Sequence, residues 1–172
     1  MSASNRPGTL RRLACPDGPP AVLLIRLAVG WIFLSEGIQK FLYHEALGAG
    51  RFTKIGIPWP DVLGPFVGGV ELGAGMLVLL GLMVRPAAVA LVVNMVVAFT
   101  STKIPILLGH GFWGFAGPAG GKSGFWAMAH EGRTDLAMLL GAVFLLIVGG
   151  GRWSLDAALI RRPAASSSQE VT

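Results

Sequence analysis

Residues 21–42 read AVLLIRLAVGWIFLSEGIQKFL. Apolar side chains occupy consecutive positions over roughly the 20 residues that a helix, rising 1.5 Å per residue, needs to cross hydrocarbon about 30 Å thick. Lipid offers the backbone no hydrogen-bond partner, so a spanning segment is a helix or a barrel strand, and a barrel strand would alternate apolar with polar. The stretch is therefore read as a transmembrane helix. Working outward, residues 62–84, 86–108 and 136–150 have the same character; the last is the shortest and is extended back to about Thr134. Pro20, Pro60 and Pro86 stand at or just before helix starts, where a missing N–H is harmless. Gly149, Gly150 and Gly151 close the last span, with Trp153 as an interfacial anchor.

The composition agrees. Of 172 residues, 53% are hydrophobic and 13% charged, and the mean hydropathy is +0.65. Soluble domains carry about a quarter charged residues, so a typical cytoplasmic enzyme and a disordered chain are both excluded. The single cysteine, Cys15, excludes an internal disulfide, a CxxC redox pair and a thiolate-rich metal site. A net charge of +5 is not gathered into a dense face, so nucleic acid is not the expected partner; lipid is. Residues 1–19 form a polar tail with no apolar signal core, and 161–172 a Ser-rich tail read as disordered. With four spans, Arg6, Arg11, Arg12, Arg85, Arg152, Arg161 and Arg162 fall on one side. Arg51, Lys54, Lys103, Lys122 and Arg133 fall on the other. The bias of seven to five places both termini in the cytoplasm.

The informative residues are those that such spans should lack. Arg26, Glu36 and Lys40 lie in the first, Glu71 near the middle of the second, Asn94 and Lys103 in the third. An ionised residue at mid-span costs roughly 2.5–3.5 kcal/mol, so these groups must turn inward, paired or neutral. Glu36 and Lys40, four apart, share a face and pair. Arg26 lies about 21 Å from Lys40 along the helix, which puts it in the cytoplasmic half, where a structural ion pair orienting the helices is its expected role. Lys103 approaches the outer end of its span, with Pro105 two residues on to bend the helix. Asp135 opens the fourth span just after Arg133. Antiparallel connectivity would thus gather Glu36, Lys40, Lys103, Arg133 and Asp135 at one face, with Glu71 below. The same residues can instead act only as register pins or snorkelling charges. Gly64 with Gly68, and Gly69 with Gly73, are small-xxx-small pairs suited to close helix packing.

The remaining long segment, residues 109–133, repeats Gly-Phe-Trp at 111–113 and 124–126 and has seven glycines within 109–124. It suits either a flap over the bundle mouth or an aromatic belt at the headgroups. His110 and His130 have no third ligand at convincing spacing, so no metal site is expected. The run 120–123 (GGKS) lacks the earlier glycine and strand of a phosphate loop. The three histidines lie outside the spans, against a buried haem.

The ordered set of motifs resembles the DoxX family of small four-helix bacterial membrane proteins. It comprises Arg26, Gly30, Phe33, Gly37 and Lys40 of the first span, the 56–58 GIP, Glu71 with Gly75, Gly81 with Arg85, the 101–109 STKIPILLG run, the 133–135 RTD and the 151–156 GRWSLD. The likeness covers about residues 22–160. It implies an all-α integral membrane four-helix bundle over 20–160, a multi-pass protein of the inner (plasma) membrane. Through relatives named as subunits of thiosulfate:quinone oxidoreductase and terminal quinol oxidase, it also implies a quinone-linked redox role. This chain has no flavin fingerprint, cysteine pair or buried histidine pair, so electrons would arrive from a directly bound donor or a partner subunit. On this reading Lys40, Lys103, Arg133 and Asp135 bind a quinone headgroup or small anion, and Glu36 and Glu71 relay protons as the catalytic acids. The alternative is a non-catalytic scaffold that docks a soluble or membrane oxidoreductase subunit on the Gly/Trp loop. A small-solute transporter is a third reading and would require a homo-oligomer.

Overall fold

The computed structural model describes residues 18–118 and 120–161. These fold into six helices: α1 (Val22–Leu42), α2 (Ala49–Ile55), α3 (Pro60–Leu80), α4 (Val84–Leu108), α5 (Phe125–Val148) and α6 (Leu155–Arg161). The tails assigned to 1–19 and 161–172 lie almost wholly outside the described residues. Three helices, α1, α3 and α4, are long and apolar enough to cross a membrane. The fourth expected span differs most. Its helix starts at Phe125, eleven residues before Leu136, and carries Glu131, Arg133 and Asp135 in its first half. Ala127, Met128, Ala129 and Glu131 are good helix formers, and the helix begins as soon as Gly124, at φ +97°, releases the chain from its turn. Polarity had made this helical segment read as loop, so the connecting loop is 109–124 rather than 109–133.

The second span likewise ends at Leu80 instead of residue 84. Gly81 (φ +71°) and Met83 (φ +48°) both take the left-handed conformation and turn the chain within three residues. For methionine that conformation is unfavourable. It is held because the Met83 N–H donates to Asp156 Oδ1 at 3.1 Å, while the Asp156 N–H donates to the Gly81 carbonyl at 3.0 Å. α6 therefore clamps the turn between α3 and α4.

α1 packs most extensively against α3, and α4 against α5; α3 also meets α4, and α1 meets α5, so the long helices enclose a common interior. Phe33, Val78, Leu91, Ala88, Ala142 and Leu145 form its fully buried apolar centre. The α1–α3 seam is close because it lacks side chains at four points. A Cβ on Gly37 would stand 2.7 Å from the Leu72 nitrogen, and one on Gly75 2.7 Å from the Leu34 nitrogen; Gly30 is as crowded, by the Leu79 side chain at 2.7 Å, and Gly68 less so, with the Phe41 ring at 3.1 Å. Gly64 does pack closely, against Ala49 of α2. Gly69 and Gly73, expected to form a second packing pair, have nothing within 4 Å of where a Cβ would stand and face outward. They lie about 120° and 160° around the helix from Gly75's contact face.

At one end of the molecule Arg26, 2% exposed, ties three helices together. Its guanidinium donates to the carbonyls of Val78 (2.9 Å) and Leu79 (2.7 Å) in the last turn of α3, and to Gly150 (3.2 Å) and Trp153 (2.7 Å) beyond α5. They lie at the end of α3 and in the turn between α5 and α6, and the Val78 carbonyl also accepts from the Gly81 N–H at 3.1 Å. The ion pair foreseen for Arg26 thus takes the form of four carbonyl bonds, with the charge of Asp156 acting on it from nearby.

Candidate functional site

The opposite end holds the ionisable cluster. Lys40, in the last turn of α1, reaches across the glycine-lined seam to α3, where its Nζ lies 2.5 Å from Glu71 Oε2. The other Glu71 oxygen accepts a 2.8 Å hydrogen bond from Asn94 Nδ2 of α4. Three helices thus converge on one carboxylate, whose side chain is only 7% exposed. Glu36 sits 3.8 Å from Lys40 one turn earlier and is 42% exposed, so it forms the weaker, outer contact. On the far side Lys103 of α4 pairs with Asp135 of α5 at 2.9 Å. Removing one partner of such a buried pair strands a charge at a cost of about 3–5 kcal/mol, so each pair also fixes helix rotation.

Between the two pairs lies a cavity of about 420 Å³. Its polar lining comes from Lys40, Glu71, Asn94, Ser101, Thr134 and Asp135, its apolar walls from α2, α3 and α4, including Phe52, Ile55, Leu63 and Phe66. α2 roofs the cavity with Arg51 and Phe52. The loop after α4 is pinned over α2 by a 2.7 Å bond from the Ala116 N–H to the Ile55 carbonyl. Beneath that loop a broader cleft of about 960 Å³ presents Lys54, Lys122, His130 and Glu131, and shares Ile55, Ser101 and Thr102 with the cavity.

Of the residues expected to gather, Glu36, Lys40, Glu71 and Asp135 line the cavity, and Lys103 reaches it through Asp135. Arg133 does not join them. It is exposed and contacts the ring of His130, with Nη1 2.9 Å from Nδ1. Because α5 is already helical there, Arg133 stands about 200° around the axis from Asp135 and points away. Sequence reasoning gave Asn94 no role and overlooked Arg51 and Thr134. Asn94 is detectable as an amide within a 25-residue apolar helix, but its meeting with Glu71 depends on the relative rotation of α3 and α4. Nothing in the sequence marks 49–55 as a separate helix over the cavity.

Comparison with known proteins gives a consistent picture. A family model described as DoxX matches residues 21–104. The chain is 51% identical over 158 residues to "Uncharacterized membrane protein Rv3486" of Mycobacterium tuberculosis, covering 92% of this chain and 93% of that one. It is 30% identical over 151 residues to "Inner membrane protein YphA" of Escherichia coli, covering 86% and 97%. No solved structure matches. With its three apolar helices, the protein is a multi-pass protein of the inner membrane.

Proposed function

The chain belongs to the DoxX family, and on that premise we propose that it is a quinone-linked membrane component whose cavity holds a quinone headgroup. One observation carries the reading: a cavity of about 420 Å³ with mostly apolar walls contains a Lys40–Glu71–Asn94 triad from three helices. That size lies within the usual range of small-molecule sites, and few polar groups among apolar walls are what fix a ligand's orientation. The donors are not exhausted. Lys40 has three N–H bonds and Asn94 two on its amide nitrogen, of which Glu71 takes one each. Each therefore retains a hydrogen for a ligand carbonyl. A neutral headgroup fits better than a small anion, because Lys40 and Arg51 face Glu36 and Glu71 while Asp135 is paired with Lys103, which leaves no surplus of positive charge.

A bound quinone would supply an acceptor for two electrons and two protons. The electrons come from a donor or partner subunit. Glu71, bridged to Lys40 and then to the partly exposed Glu36, provides a chain of groups able to pass protons inward. In this proposal α5 is the fourth span of a four-helix bundle, with both termini in the cytoplasm. The scaffold reading draws on a separate observation, the 84% and 83% exposure of Trp113 and Trp126. Quinone binding by the isolated chain separates the two.

The test is equilibrium quinone binding to the purified chain in nanodiscs. The wild type is expected to bind with one-to-one stoichiometry, and Asn94→Leu to weaken binding about tenfold or more, the worth of a hydrogen bond in a charged network. Glu71→Gln is expected to retain binding within a few-fold yet stop proton-coupled quinone reduction in membrane vesicles that retain the electron donor. No binding by a folded wild-type chain, or equal binding by Asn94→Leu, would remove the pocket as a quinone site.

A further inference from the structure

The cavity reaches the surface in more than one direction, and the rims differ in chemistry. Between α1 and α5 the rim is polar, formed by Glu36 and Thr134. Between α3 and α4 it is formed by Phe66 and Val97, which line the cavity and are nevertheless 63% and 50% exposed. Lining the cavity while standing at least half exposed, the two residues form the thin outer margin of the cavity on this side. Val97 lies three positions from Asn94 and four from Ser101, so all three share the face of α4 turned toward α3. On α3, Leu63 and Val67 flank Phe66 and also line the cavity. Both helices are apolar enough to cross a membrane, so this window opens on acyl chains.

We propose that the ligand enters the cavity sideways from the bilayer through the α3–α4 window, and that Phe66 and Val97 determine which tail it carries. This rests on the quinone reading above and names the substrate as a membrane-dissolved, tailed molecule. A headgroup held by Lys40 and Asn94 is bordered on the Val97 side by the window, so its tail can remain among the lipid chains while the ring is enclosed. Leaving the tail outside avoids having to fit it into about 420 Å³. The alternative route, the broader cleft beneath the loop, is lined by Lys54, Lys122, His130 and Glu131 and suits water-borne molecules. It would impose no requirement at Val97.

The experiment compares a decyl-tailed benzoquinone with tail-less tetramethylbenzoquinone in nanodiscs, with affinity expressed as mole fraction in the bilayer. That scale removes membrane partitioning, and a tail surrounded by lipid has little to gain from protein contact, so the wild type should bind the two within a few-fold. Val97→Trp, at a half-exposed position, is expected to weaken the tailed quinone at least tenfold and leave the tail-less one within twofold. Phe66→Trp, on the opposite rim, should act in the same sense and guards against misfolding of either variant alone. Equal effects on both quinones, or on neither, would overturn lateral entry while leaving the pocket intact. Failure of the wild type to bind either quinone would overturn the quinone reading, and this occupant with it.

Discussion

Arg26 is the largest fully buried side chain among the described residues, and its place in the sequence explains little of what it does. Within a span it reads as an expensive charge in need of an acid. Instead, the guanidinium's fan of donors meets four carbonyls, two in the last turn of α3 and two in the turn after α5, a geometry suited to a planar fork of five N–H groups. Arg26→Ala would remove four hydrogen bonds from these carbonyls, of which Val78 keeps a backbone partner in the Gly81 N–H. It is expected to destabilise the protein by about 3 kcal/mol or more, measured as loss of thermal stability in detergent. Arg26→Lys should recover only part, since an ammonium cannot reach both helix ends in the same way; full recovery would mean that charge alone matters. At this scale the sequence was legible where burial is costly. Arg26, Glu36, Lys40 and Glu71 stand out as ions among apolar residues. Arg133 was misplaced, and the partner of the inward-facing Asn94 went unnamed, because both depend on helix rotation, and a shift of two residues turns a side chain about 200°.

Among the elements, the glycines of α1 and α3 separate into two classes that identical spacing conceals. Gly37 and Gly75 face backbone at 2.7 Å, and a methyl there can be accommodated only by moving a helix. Gly69 and Gly73 face open space. Gly37→Ala is expected to cost about 1–3 kcal/mol by overpacking, while Gly73→Ala should be neutral or stabilising by up to about 1 kcal/mol, the helix-propensity difference. Thermal unfolding of the two variants side by side checks both, and similar shifts would refute the close seam. Helix existence was legible from apolar runs, and α1 falls within one residue of its expected start. Boundaries were legible only where hydropathy and helix limits coincide. In α5 they do not, because the helix continues through His130, Glu131, Arg133 and Asp135 before its apolar part begins. The short α2 was missed because seven residues (AGRFTKI) carry too little periodicity, and its role as a roof exists only once α3 is in place.

At the scale of the whole molecule, the two polar centres lie at opposite ends and fix the helices in antiparallel register. Arg26 joins the start of α1 to the ends of α3 and α5, whereas Lys40–Glu71 and Lys103–Asp135 join the helices toward the other end. α5 spans 24 residues, about 36 Å at 1.5 Å per residue. That exceeds the roughly 30 Å of hydrocarbon by about one turn, so in a spanning α5 Glu131 and Arg133 would reach back to the interface by snorkelling and Asp135 would enter already paired with Lys103. The connections on either side of α5 would then belong to opposite compartments, and the proposed orientation puts the arginine-bearing 152 end in the cytoplasm. In a Cys15→Ser background, a membrane-impermeant maleimide added to intact spheroplasts should label Lys122→Cys and spare Arg152→Cys until the membrane is opened. Both positions are exposed, so a difference between them reports compartment rather than burial. Equal labelling would place α5 along one face of the membrane. The Lys103–Asp135 pair would then lie at the interface, screened by water, and the cavity between the two ion pairs would lose the low-dielectric wall that gives its carboxylates their chemical leverage.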